Sequence, residues 1–188
     1  MEVKFGVSAR HVHLTEEDFK YLYGARCNIT KSRDLSQIGE FACNEKVNLI
    51  GNTGKIENVR ILGPFRNYTQ VEISKTDAYV LGLNPPVRDS EDLEGSEKIT
   101  IEHNGKTLIK ECCIISMRHI HINNNELNKY NLRDGQIVRL KVNGIKGGIL
   151  DNVKIKASNL YNLEAHIDLD DANAHLLKTG DIGDIINE

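Results

Sequence analysis

Two observations on the 188-residue sequence predict a mainly β protein, two similar small β-barrel modules with short capping helices. One is an internal duplication; the other is a run of short alternating segments punctuated by turn residues. The duplication is plainest where Ser8-Ala9-Arg10-His11-Val12-His13-Leu14 reads against Ser116-Met117-Arg118-His119-Ile120-His121-Ile122. Asn58-Val59-Arg60-Ile61-Leu62 matches Asn152-Val153-Lys154-Ile155-Lys156, and Gln70 to Ala78 matches Glu164 to Ala172. A copy of roughly 80 to 90 residues is too long for a solenoid repeat. Short strands and few helical residues make each copy a barrel or curled sheet. The modules are expected over 1–83 and 99–188, with a linker over 84–98. Sequence leaves open whether the first strand pairs with the second barrel.

The elements follow in order. Val3, Phe5 and Val7 alternate as a strand running into the first histidine pair. Thr15 caps a helix with Glu16, Glu17 and Asp18 in its first turn, where they suit the dipole. Phe19, Leu22 and Tyr23 form its buried face and Gly24 stops it. Leu35 to Ala42 reads as a loop leading into a strand. Val47–Ile50 and Ile56–Leu62 are strands across Asn52-Thr53-Gly54, and Gly63-Pro64 ends the second and leaves Arg66 on a loop. Thr69–Ser74 is a further strand, with a helix starting at Thr76-Asp77-Ala78. Pro85-Pro86 and the charged run from Arg88 to Lys98 read as a solvated linker. Asn104-Gly105 signals a type I′ hairpin, with His103 beside it exposed and idle. In the second half Asn123 or Asn125 caps a helix carrying Leu127 and Tyr130. Ile137–Val142 and Ile149–Ile155 are strands, and Asp170 caps a last helix ending at Gly180.

Composition narrows the function. Hydrophobic residues at 39% suffice for a core. Lys and Arg number 24 against 27 Asp and Glu, a net charge of −3 that leaves no electrostatic footprint for nucleic acid. No apolar run is long enough for a membrane span and no secretory signal opens the sequence, so a soluble, cytoplasmic protein is expected. The four cysteines, Cys27, Cys43, Cys112 and Cys113, show no C-x-x-C spacing. Reduced, mostly buried thiols are the reading; adjacent Cys112 and Cys113 point to opposite faces of a strand.

The histidines carry the chemistry. On a strand, residues two apart face one side, so Arg-His-x-His presents two imidazoles together, half of a metal site. Aligning the copies places Glu72 opposite His166, each thirteen residues after the matched valine (59 to 72, 153 to 166). Each copy then offers three N/O ligands: His11, His13 and Glu72, and His119, His121 and His166. Three such ligands with a vacant position describe a catalytic zinc site rather than a closed structural one. The alternative is that these are hydrogen-bonded barrel residues, and finding the set twice weighs against it. Arg66, six residues before Glu72, has no arginine counterpart in the second copy. Beside a metal, its fork suits a tetrahedral oxyanion, phosphate above all; alone, it would be a surface arginine. Arg10 and Arg118 are either site-orienting residues or ion-pair partners. His175 has no counterpart and stays outside the set.

At these residues the chain resembles the phosphate propanoyltransferase family, the phosphotransacylases of the propanediol-utilisation type. The resemblance rests on Val7 to Leu14, Leu35-Ser36-Gln37 with Gly39 and Phe41-Ala42, and Val59 to Pro64 with Arg66. It continues through Thr69 to Ser74 with Thr76-Asp77, Arg118 to His121, His166-Ile167-Asp168 and Asp171 to Ala174. It implies two β-barrel modules, a dinuclear zinc site with two Zn2+ per chain, and acyl transfer between coenzyme A and phosphate. Carried over by position, one zinc falls to His11, His13 and Glu72 and the other to His119, His121 and His166. Arg66 matches the phosphate-binding arginine, and Ser8, Arg60, Leu62 and Asn173 match coenzyme A contacts. Ile38 stands where the family often has proline, which bears on loop shape. Family members destined for microcompartments carry an N-terminal extension that this sequence lacks, favouring a free cytosolic enzyme, expected as a homo-oligomer, a dimer. The rival functions are a zinc-dependent acyl-CoA thioesterase or hydrolase, and a metal- or nucleotide-binding module without chemistry. An eight-stranded α/β barrel hydrolase would need a longer chain.

Overall fold

The computed structural model describes residues 1–186. The first half contains β1 (Glu2–Ser8), β2 (His11–His13), α1 (Glu16–Tyr23), β3 (Lys31–Asp34) and β4 (Phe41–Ile50). Then come β5 (Lys55–Gly63), β6 (Gln70–Glu72), α2 (Lys75–Leu81) and β7 (Val87–Arg88). A hairpin of β8 (Glu97–His103) and β9 (Lys106–Ser116) leads into β10 (His119–Ile122) and α3 (Asn124–Lys129). The chain closes with β11 (Ile137–Val142), β12 (Gly148–Ala157), β13 (Glu164–Asp168), α4 (Leu169–His175) and β14 (Ile182–Ile186). The protein is mainly β, as expected, and none of these helices is long and apolar enough to cross a membrane.

Two compact units form. Of the described residues, one holds 9–35 and 39–116, the other 1–8, 36–38 and 117–186. In the first, β4, β5, β2, β6, β9 and β8 pair in a ring, with β3 added on β4 and β7 on β9. In the second, β1, β13, β10, β12, β11 and β14 close a barrel. The rings are built alike: each His-x-His strand lies parallel to one neighbour (β5 or β12) and antiparallel to the other (β6 or β13).

The strand leading into each His-x-His strand completes the other unit's ring. β1 precedes β2 in sequence yet lies parallel to β13; β9 precedes β10 yet lies parallel to β6. Units and sequence copies therefore differ: residues 99–116 belong with β2, and the expected linker over 84–98 contains β7 and the start of β8. Val3 and Phe5 anchor β1 by burial against Ile120, Leu140 and Ile185.

The duplication reaches the core. Val12, Leu14, Val59 and Ile61 are buried in one cluster, and their matches Ile120, Ile122, Val153 and Ile155 in the other. Asn58 (φ 59°) and Asn152 (φ 58°) each sit in the left-handed region at a bulge that sets one extra residue into β5 or β12. Asparagine tolerates that conformation better than most residues. Asn104 (φ 49°) and Gly105 (φ 81°) make the predicted tight turn.

Helix ends depart from expectation. Ser74 caps α2 in a reciprocal box with Asp77, two residues before the expected start. Asp168, not Asp170, caps α4, which ends at His175 with Leu176 left-handed, short of Gly180. Asn123 caps α3 and Thr15 caps α1. β3, with the sequence Lys-Ser-Arg-Asp, has no apolar period to announce it; it is an exposed edge strand.

Candidate metal centres

In the first ring Val12 turns into the core and leaves His11 and His13 on the opposite face of β2. The antiparallel register of β6 sets Glu72 against His11 and Gln70 against His13. Candidate ligand atoms of His11, His13 and Glu72 lie within 4.8 Å of one another. His11 Nδ1 donates to the Ala9 carbonyl at 2.9 Å, because a carbonyl only accepts. That bond fixes the ring, with Nε2 3.5 Å from a Glu72 oxygen. His13 Nδ1 is buried with no hydrogen-bond partner among the described residues. A buried polar atom of this kind costs stability unless something satisfies it, and a metal would. Burial lowers the affinity of His11 for a proton, but the Glu72 carboxylate and the Ala9 carbonyl outweigh it and the pKa rises. Burial first, then the charges of His11 and Arg66, hold His13 well below the usual histidine range. A neutral imidazole is the form that binds a metal.

The second ring repeats the layout. His119 faces His166 across β10 and β13, and His121 faces Glu164. His119 Nδ1 donates to the Met117 carbonyl at 2.8 Å, the counterpart of the bond from His11. The rings of His121 and His166 are 4.6 Å apart, and the three histidines again bring ligand atoms within 4.8 Å. Tyr161 stacks on His121 at 4.0 Å. Glu164, unremarked in the sequence, accepts from Ser36 Oγ and lies 2.8 Å from His166 Nε2.

Arg66 follows β5 on a loop fastened by its own backbone N–H to the Leu14 carbonyl at 3.0 Å. Its guanidinium donates to Tyr68 Oη at 2.8 Å, Ser90 Oγ at 3.1 Å and a Glu40 oxygen at 2.9 Å. The fork is held, and one of its partners is already an oxyanion. Gln70 joins this group to the triad, donating to Glu72 at 2.6 Å and Ser90 at 3.0 Å. Glu40, Tyr68 and Ser90 escaped the sequence reading because they lie on segments with no period. Gln70 left a signal: it stands two residues before Glu72 on a strand, hence on the same face.

The remaining expected residues fall within the two units. Arg60 stands opposite His11 in register and donates to the Cys43 carbonyl, and Leu62 follows on the same strand. Ser8 ends β1 opposite Asp168, and Asn173 is exposed on α4. Arg10 and Arg118 are ion-pair partners, of Asp77 and Asp171, each at 2.6 Å. His103 is not idle; it stacks on Tyr23 at 3.7 Å. All four cysteines are free, and only Cys27 is exposed. Burial pushes the Cys43 and Cys112 thiols up to about 12, and the Cys113 thiol up as well, the opposite of what a thiolate nucleophile needs.

The family profile for phosphate propanoyltransferase matches residues 4–178. The Thermotoga maritima protein named phosphate propanoyltransferase is 47% identical over 179 residues, 94% of this chain and 85% of its own length. That of Priestia megaterium is 47% identical over 182 residues (96% and 84%), and that of Clostridioides difficile 41% over 187 (99% and 90%). The chain belongs to the phosphate propanoyltransferase family and is, by that membership, a phosphate acyltransferase.

Proposed function

We propose that this enzyme transfers a short acyl group, acetyl or propanoyl, reversibly between coenzyme A and inorganic phosphate to give an acyl phosphate. It would carry two zinc ions per chain, one on His11, His13 and Glu72 and one on His119, His121 and His166. The observation carrying the reading is the first triad beside a held arginine fork. Arg66 is close enough for its charge to lower the pKa of both His11 and His13, and its fork matches phosphate. The donors fit the metal: two imidazoles with a carboxylate in one set and three imidazoles in the other, none of them cysteine, the first including the unsatisfied His13 Nδ1. When bound, zinc supplies Lewis acidity toward a thioester carbonyl or a departing thiolate.

The chain's own residues do the rest. Phosphate replaces the Glu40 oxygen on Arg66, while Tyr68 and Ser90 keep the guanidinium plane fixed. A phosphate oxygen so oriented bonds to the acyl carbon as the C–S bond breaks and coenzyme A leaves as thiolate. Proximity and charge stabilisation supply most of the acceleration. The protonated thiols argue for this direct attack over an acyl-cysteine intermediate. Substitution of Ser8, Arg60, Leu62 or Asn173 is expected to raise KM for propanoyl-CoA.

The test is coenzyme A release from acetyl-CoA and propanoyl-CoA, with and without phosphate, with acyl phosphate trapped by hydroxylamine. Release that needs phosphate and yields acyl hydroxamate is expected. Arg66→Ala should raise KM for phosphate by about 100-fold, the scale of a lost charge-assisted fork. Release indifferent to phosphate and to Arg66 would make the protein a thioesterase and overturn the reading.

A further inference from the structure

The two triads belong to four-residue patches that differ in where the carboxylate stands. In the first, His11 faces Glu72 and His13 faces Gln70. In the second, His119 faces His166 and His121 faces Glu164. Each patch holds one carboxylate, displaced by two residues along the strand and so kept on the same face. The contact within each strand is kept with its polarity reversed: Gln70 donates to the carboxylate Glu72, whereas Glu164 is a carboxylate on the imidazole of His166. We propose that Glu164 is a positioning residue that gives the second metal site the single negative charge Glu72 gives the first.

Three features of the fold favour that role. Glu164 is buried, and an ionised buried carboxylate needs partners. It has them in Ser36 Oγ, Gln37 Nε2 at 3.4 Å and His166 Nε2 at 2.8 Å. The space it fills is kept open by Gly6, where an added Cβ would lie 2.8 Å from the Glu164 Cδ. A neutral imidazole has one lone pair, so a nitrogen that donates to Glu164 leaves the other for a metal. A ligand histidine tied to a carboxylate is fixed in tautomer and ring orientation. Glu164 thus acts through His166, as Glu72 acts directly.

This rests on the metal reading proposed above, and its test separates the two. Metal-free protein is titrated with Zn2+ against a chromophoric chelator, and with Co2+ read by its visible absorption. Wild type should bind two ions. Glu164→Gln keeps the volume and removes the charge; it should weaken one ion by about 10- to 100-fold and leave the other unchanged. The double variant E164Q/H166E rebuilds the arrangement of the first patch and should recover most of the loss. Ser36→Ala removes one loop contact but keeps the charge, and should weaken that ion by less than E164Q does. Unchanged affinity in E164Q, no recovery in the double variant, or an equal loss in Ser36→Ala would each overturn the role of Glu164. Fewer than two ions in wild type would instead defeat the metal reading, and this inference with it.

Discussion

The two rings share their His-x-His strand, bulged neighbour and helix-anchored arginine, yet their loops after the bulged strand have parted. In the first, that loop carries Arg66, fixed by Tyr68, Ser90 and Glu40. In the second, the matching position is Leu160, which is exposed, and the next residue, Tyr161, lays its ring on His121. Strands set by register kept the same placement of their histidines in both copies. Loops free of register carry different side chains: one places an arginine held by Tyr68, Ser90 and Glu40, the other an aromatic ring on His121. The two candidate metal sets are therefore alike in layout, and the loops beside them differ.

The equivalence of the triads is broken most sharply by removing one ligand from either. Glu72→Ala and His166→Ala should each lower kcat/KM by about a thousandfold, measured as phosphate-dependent coenzyme A release. A large loss in only one would mean that the copies do not share the work. Next comes the core. Ile61 and Ile155 occupy matched, fully buried positions, so Ile61→Ala and Ile155→Ala should cost similar amounts, about 2–5 kcal/mol each in urea unfolding. The helix anchors sharpen the comparison further. Asp77 pairs with Arg10 and also closes the α2 capping box, while Asp171 pairs with Arg118 under the cap made by Asp168. Both arginines are about one-third exposed or more, which screens the pairs. Asp77→Ala should therefore cost about 2 kcal/mol and Asp171→Ala about 1 kcal/mol.

The smallest effect concerns the thiols. A thiol reacts as thiolate, and groups at about 12 stay protonated at pH 8, whereas an ordinary thiol is partly ionised there. A thiol reagent at pH 8 should modify Cys27 alone in the folded enzyme and all four cysteines after unfolding. Turnover should persist after the first modification. Loss of turnover on modifying Cys43 or Cys112 would reopen the acyl-enzyme route.

What the sequence disclosed followed the reach of its physics. Period-two spacing put His11 with His13 and His119 with His121, and copy alignment found Glu72 and His166, because register on a strand is counted in residues. Local turn chemistry disclosed Asn104-Gly105. Pairing partners were not legible: alternation shows that β1 buries Val3 and Phe5, not which ring they enter. Nor were Glu40, Tyr68 and Ser90, whose place around Arg66 comes from loop paths that no period encodes. The α4 cap was misplaced by two residues, Asp170 for Asp168, where three aspartates stand close together and each can cap.

Metal content per chain, in wild type and in the two triad variants, tests the central claim most directly. Two ions in wild type and one each in Glu72→Ala and His166→Ala are predicted, since under the proposal each copy would hold its own ion with its own ligands. A single ion in wild type, or loss of both ions from one substitution, would contradict two independent sites built by duplication.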